Sequence, residues 1–151
     1  MAKAADILVP RENVEITLRG PDGKIKKQGK AKNLIVTTGV QAIVDQLLDA
    51  PALAVPSHIA VGTGTTAAAA GDTTLQTELD RNALTSKNRS GAVLTLVGDW
   101  AAGEATGDLT EAGIFNASSS GTLFSRVVFG AYDKEALDTL QITWTWTLAA
   151  P

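Results

Sequence analysis

Near the C-terminus, residues 139–148 alternate without a break. Leu140, Ile142, Trp144, Trp146 and Leu148 fall on one parity, and Thr139, Gln141, Thr143, Thr145 and Thr147 on the other. A period of two is the spacing of a strand with one face buried and one face wet. Burying two indole rings from one strand supplies a large part of any core this chain can build.

The same period recurs upstream. Val14, Ile16 and Leu18 alternate with Glu15, Thr17 and Arg19 and then meet Gly20-Pro21-Asp22-Gly23, strong turn chemistry. The chain returns over residues 24–33, which predicts a hairpin. On the return strand Lys24, Lys26, Lys30 and Lys32 share a face with Gln28, and Ile25, Lys27, Gly29 and Ala31 share the other. Ala92, Leu94, Leu96 and Trp100 set a further strand, followed by a polar small-residue loop over 101–108. Residues 109–115 and 122–129 form a pair of strands joined by a Ser-rich loop over 116–121.

One stretch breaks the pattern. Val40, Ile43, Val44, Leu47 and Leu48 follow i, i+3, i+4, i+7, i+8, the spacing of an amphipathic helix. Thr38 as N-cap with Gln41 at N3 fits a capping box, so the spacing predicts a helix over 38–49 that covers the sheet with those five side chains. Several strands, one helix and little else predict a mainly β fold: an antiparallel β-sandwich or small barrel with one amphipathic helix. The expected organisation is an extended N-terminal arm over residues 1–12 and a single β-rich domain over 13–151.

Composition narrows the function classes. A chain of 151 residues suits one domain. It has no cysteine, which excludes disulfides and thiolate chemistry. The apolar core of the first ten residues, Ile7-Leu8-Val9, is too short for a signal peptide, and no apolar run reaches membrane-spanning length, so no membrane partner is expected. The net charge of −3 argues against a nucleic-acid partner, but it is unevenly spread. Residues 11–32 carry +4 and everything after Lys32 carries −7, a polarity that lets copies of the chain attract one another.

Residues 57–81, SHIAVGTGTTAAAAGDTTLQTELDR, hold the one motif that invites a cofactor. Gly62-Thr63-Gly64-Thr65-Thr66-Ala67 follows a candidate strand and fits G-x-G-x-x-G/A. The dinucleotide fingerprint needs a helix opening at the loop, and Gly71-Asp72 stops any helix after about one turn. No Gly-Lys-Ser/Thr follows, so a Walker loop is excluded. A strand leaving through a glycine-rich turn, with Gly62 and Gly64 free to take positive φ, accounts for the residues, and no cofactor is expected.

Catalytic chemistry finds little material. His58 is the only histidine, so His/Cys zinc sites are excluded and no metal is expected. No G-x-S-x-G elbow is present. Glu104, Asp108 and Glu111 read as solvated loop acids with Trp100 as the one aromatic platform nearby, too little for a glycosidase pair. Arg126, set among apolar neighbours, calls for a carboxylate partner on the preceding strand, and Glu111 fits as a structural pair. The chain is expected not to be an enzyme.

Taken in order, Asn33-Leu34-Ile35-Val36-Thr37-Thr38-Gly39, His58-Ile59-Ala60-Val61-Gly62-Thr63-Gly64, Asp72-Thr73-Thr74-Leu75 through Glu78 and Arg81, Glu111-Ala112-Gly113-Ile114-Phe115 and Leu123-Phe124-Ser125-Arg126 carry a resemblance. It covers roughly residues 33–148. The chain resembles small bacteriophage virion structural proteins of the head-decoration or tail-fibre type. The resemblance implies a β-rich, non-enzymatic homo-oligomer, often a trimer, that is assembled in the host cytoplasm and resident in the virion. Its implied partners are other virion proteins, either the major capsid protein or tail proteins. The shortness of the chain and its lack of an internal repeat favour a capsid decoration or cement protein bridging neighbouring coat subunits. The alternative is a tail accessory or tail-fibre protein that binds a receptor or carbohydrate. The front hairpin lies outside the resemblance, and its Lys24, Lys26, Lys30 and Lys32 are the candidate protein–protein contact.

Overall fold

The computed structural model describes residues 12–148. Ten strands and one helix follow in chain order: β1 (Glu12–Arg19), β2 (Ile25–Lys32), β3 (Leu34–Ile35), α1 (Thr37–Asp45), β4 (His58–Gly62), β5 (Glu78–Ala83), β6 (Ser86–Ser90), β7 (Val93–Trp100), β8 (Gly107–Phe115), β9 (Leu123–Lys134) and β10 (Thr139–Thr147). They form two five-stranded sheets, ordered β2-β1-β10-β7-β6 and β3-β9-β8-β4-β5, with every neighbouring pair antiparallel. The fold is a β-sandwich, not a closed barrel. The arm expected over residues 1–12 lies outside the described residues except for Glu12, whose backbone already belongs to β1 opposite Lys32.

The alternating strands meet in the core as their period requires. Val14, Ile16 and Leu18 from β1 and Leu140, Ile142, Trp144 and Trp146 from β10 are buried against Ile59, Val61, Leu109, Ile114 and Phe124 of the opposite sheet. Leu148 departs from the expected pattern: it lies just past the end of β10 and is exposed. The Trp146 and Phe124 rings stack with centroids 6.0 Å apart. Asn33, buried where β2 gives way to β3, closes this end. In the amide orientation that satisfies both indoles, its Oδ1 accepts from Trp144 Nε1 at 2.7 Å and Trp146 Nε1 at 3.1 Å. Two buried N–H donors would otherwise lack partners, at about 1–3 kcal/mol each.

The hairpin turn forms as its residues predict. Gly23 takes φ 78°, Gly20 N–H donates to Lys24 O, and Gly23 N–H donates to Gly20 O. On the other side of β2, the long strand β9 swings toward it. Tyr132 Oη sits where a Cβ on Gly29 would lie only 2.7 Å away, so this glycine admits the ring.

The helix departs from expectation. It spans nine residues rather than twelve, and its N-cap is Val36, with no side-chain cap; Thr38 instead donates its hydroxyl to Leu123 O at 2.8 Å. The predicted covering face is reversed. Gly39 and Ala42 are buried and Ile43 is half-buried, whereas Val40, Val44, Leu47 and Leu48 are exposed, Leu47 by 83%. The cause is how closely α1 approaches β9. A Cβ on Gly39 would stand 1.9 Å from Phe124 O, so only the small-residue side can face the sheet.

Candidate interaction surfaces

The glycine-rich stretch is built around a buried ion pair. Glu111 on β8 and Arg126 on β9 are 0% and 2% exposed, and Arg126 Nη2 lies 2.9 Å from Glu111 Oε2. Arg126 Nε donates to the same oxygen at 3.0 Å. The remaining lone pairs of Glu111 hold the loop between β4 and β5. Oε1 accepts from Gly64 N–H at 2.9 Å and Thr77 N–H at 2.7 Å, and Oε2 accepts from Gln76 N–H at 2.9 Å. Arg126 reaches the far side of the loop, donating to Asp72 Oδ2 at 2.8 Å and Thr66 O at 2.9 Å. Burial opposes ionisation of Glu111, but the three backbone donors and the guanidinium outweigh it and hold its carboxyl below the usual range.

This clasp explains the glycines in a way the sequence reading did not anticipate. Neither Gly62 nor Gly64 takes positive φ. Instead a Cβ on Gly62 would lie 2.2 Å from Thr77 O, and one on Gly64 would lie 2.4 Å from Glu111 Oε1. They are glycines because the carboxylate and the returning chain come too close for a side chain. Glu111 is therefore no solvated loop acid, while its expected pairing with Arg126 is present.

The rest of the motif anchors this loop and the neighbouring loop over residues 116–121. Leu75 is buried with Ala60, Phe115 and Leu123. Arg81 makes a two-pronged pair with Glu78 at 2.8 and 2.7 Å, donates to Ala117 O and Ser120 O, and lies 3.7 Å over the Phe115 ring. Ala70 O accepts from Thr37 N–H, joining the loop to the start of α1. The two buried charges of this network, Glu111 and Arg126, are spent on the chain itself, and the arrangement positions a surface loop.

The four candidate lysines do not form one row. Lys24 lies in the turn, before β2 begins, and a register shift between Leu18 and Arg19 puts an irregularity beside Lys26. Lys26 Nζ is paired with Glu135 Oε2 at 2.8 Å and Asp138 Oδ2 at 2.6 Å, pinning the turn between β9 and β10. Its hydrogen bonds to Asp138 and then Glu135 raise its pKa, and the same contact with Lys26 lowers that of Asp138. Lys30 and Lys32 are exposed and, like Lys24, make no ion pair among the described residues. The register sets Lys30 opposite Glu15 and Lys32 opposite Glu12.

The other candidates are placed as follows. His58 opens β4, half-buried, with Nδ1 2.8 Å from Ser57 Oγ, and no carboxylate joins the two among the described residues. Glu104 accepts from Ala101 N–H and Asn82 Nδ2, and Asp108 is exposed on β8 opposite Asp133. Trp100 is buried, so it is no sugar platform, and none of the other aromatic residues is exposed. Lys134, missed by sequence reasoning because it ends an apolar strand without any motif, is wholly buried with Nζ donating to Ala101 O at 3.1 Å. Burial lowers its pKa against the opposing pull of Asp138, Glu104 and Asp80.

The helix presents the other surface. Asp45 accepts from Ala52 N–H and Leu53 N–H, and Gln46 Nε2 donates to Leu53 O, which ties residues 52–53 to the C-terminal end of α1. Leu53 and Val55 of the following segment are exposed, as are Val40, Val44, Leu47 and Leu48. Beside the helix opens a cleft of about 190 Å³, lined by Ile43, Pro56, Leu94, Phe124, Trp146 and Leu148. Comparison with family models, curated proteins and solved structures finds no match to this chain.

Proposed function

We propose that this chain is a non-enzymatic structural protein of a bacteriophage particle that works by adhesion, as a capsid decoration or cement protein bridging neighbouring coat subunits. The observation that carries the adhesive part is the reversed helix, whose apolar side faces solvent. A chain that leaves Val40 and Val44 of one short helix, and Leu47 and Leu48 just past its end, facing solvent keeps a surface for a protein partner, because apolar patches of this kind mark interaction sites. The virion assignment rests on the resemblance carried by residues 33–148. Its motif residues hold two neighbouring surface loops in order, Glu111, Arg126 and Asp72 the one between β4 and β5 and the Glu78–Arg81 pair the one between β8 and β9, a use suited to a binding protein. Bridging stabilises an assembled shell by mass action, since whatever binds the assembled state shifts the equilibrium toward it.

A receptor- or carbohydrate-binding tail protein is the second reading, favoured by the same ordered loops but lacking exposed aromatic rings. The test is imaging of purified particles whose copies of this chain carry a label. Label spread over the shell is the expected result. Label confined to the tail selects the second reading, and particles without label overturn both.

A further inference from the structure

We infer that the outer face of α1, together with residues 50–56, is the contact through which two copies of this chain associate. This deepens the adhesive reading above, on which it rests, by naming the partner of that surface.

Area is the first argument. Val40, Val44, Leu47, Leu48, Leu53 and Val55 together present on the order of 500 Å² of apolar surface, the upper part of what monomers leave uncovered. That is more than half of the ~800 Å² each partner gives to a standard interface. The cleft lined by Ile43 of α1 with Phe124, Trp146 and exposed Leu148 is a further apolar surface beside the helix.

Charge selects a second copy over a charged partner. Residues 40–56 contain no lysine or arginine, and their only acids are Asp45 and Asp49. The Asp45 carboxylate is already occupied by two backbone N–H groups. A contact between copies brings like groups together across a symmetry axis, which a patch nearly free of charge tolerates and a charged one does not. Val40 and Val44 stand one turn apart on α1 with Leu47 just past its end, so the ridge of one copy can seat beside that of another. The basic strand β2, by contrast, would repel its own copy.

The experiment measures the mass of the full chain in solution from low to high micromolar concentration, for the unaltered protein and for Leu47→Glu. The unaltered chain is expected to associate as concentration rises. Leu47→Glu is expected to weaken association by at least about a hundredfold, because it sets an unpaired carboxylate at an apolar centre. Its unfolding midpoint as a monomer should not change, since Leu47 touches little of its own fold. Val44→Cys gives a second readout: the chain has no cysteine of its own, so a short bis-maleimide should join copies in pairs through this face and give a band at twice the chain mass. An unaltered chain that stays monomeric throughout, or an oligomer indifferent to Leu47→Glu, overturns the inference. In either case, loss of Leu47→Glu from purified particles would leave the adhesive reading standing with a coat subunit as the partner. Undiminished retention on particles would remove this face from both.

Discussion

Glu111 and Arg126 stand diagonally across the β8–β9 ladder, Glu111 opposite Val128 and Arg126 opposite Gly113, with a 2.9 Å contact sealed from solvent. Neither charge is left with an unused bonding direction toward the core, since backbone groups of the loop between β4 and β5 take up the remainder. That completeness is what makes the burial of two charges tolerable.

Removing one partner of this pair should therefore cost far more than removing a surface charge. Arg126→Met is expected to destabilise the fold by about 3–5 kcal/mol, because it leaves Glu111 buried without its counter-charge. Urea unfolding measures this. Limited proteolysis should show new cleavage within residues 63–77, and protection equal to the unaltered chain would mean that the pair does not hold the loop.

Two helix substitutions should behave in opposite ways. Gly39→Ala pushes a methyl into Phe124 O and should cost about 1–3 kcal/mol or more as α1 is forced off β9. Leu47→Ala, on the exposed side, should shift monomer stability by no more than about 0.5 kcal/mol. Thermal melts of both at low concentration check the pair; a large loss for Leu47→Ala would mean that the helix packs the other way round.

Acid should loosen the fold through Glu111 and Asp138. Folding lowers both pKa values from ordinary values of 4.5 and 3.8, so the folded state binds protons less readily than the unfolded chain. Their contribution is complete above those unfolded values and is lost as pH falls through the lower, folded ones. Unfolding midpoints should accordingly fall below about pH 4. Asp138→Asn should flatten part of that fall, and an unchanged slope would exclude Asp138 from it.

Lys134 should leave a mark on the alkaline side. Its folded pKa lies below the ordinary 10.5, so in the window between the two the unfolded chain holds the extra proton, and stability rises with pH there. Lys134→Met should remove that rise. Melting points taken through the alkaline range decide the matter, and parallel curves for the two proteins would contradict it.

The lysine strand makes a graded prediction. Lys26→Glu should destabilise the isolated chain, because Asp138, only 1% exposed, loses its partner and faces a like charge. Changing Lys24, Lys30 and Lys32 to glutamate together should leave the unfolding midpoint nearly unchanged. If these three meet an acidic partner, the triple variant should also be retained less on purified particles, most clearly at low salt. Equal retention across a salt series would leave them as guards of the sheet edge.

The strands with strict alternation were readable in advance: Val14, Ile16 and Leu18, and Leu140 through Trp146, lie in the core where their period puts them. The Glu111–Arg126 pair was readable for a related reason, since a guanidinium among apolar neighbours must find a carboxylate. The short strands β3, β5 and β6 were not, because ELDRNA and SKNRS carry too few apolar residues for a period to show and are strands only by pairing with neighbours.

What the sequence determined by itself was the class of fold and the inward side of its long strands, because a period of two permits only one burial pattern once a sheet forms. What only the tertiary structure decided was which side of α1 faces inward and why Gly62 and Gly64 are glycines. Both depend on how closely two distant backbone segments approach, Gly39 against Phe124 and the loop of residues 62–77 against Glu111. Hydrophobic periodicity describes which residues would gain by burial, but it holds no record of those distances. At α1 the close approach required small residues on the inner side, and the apolar stripe was left facing outward.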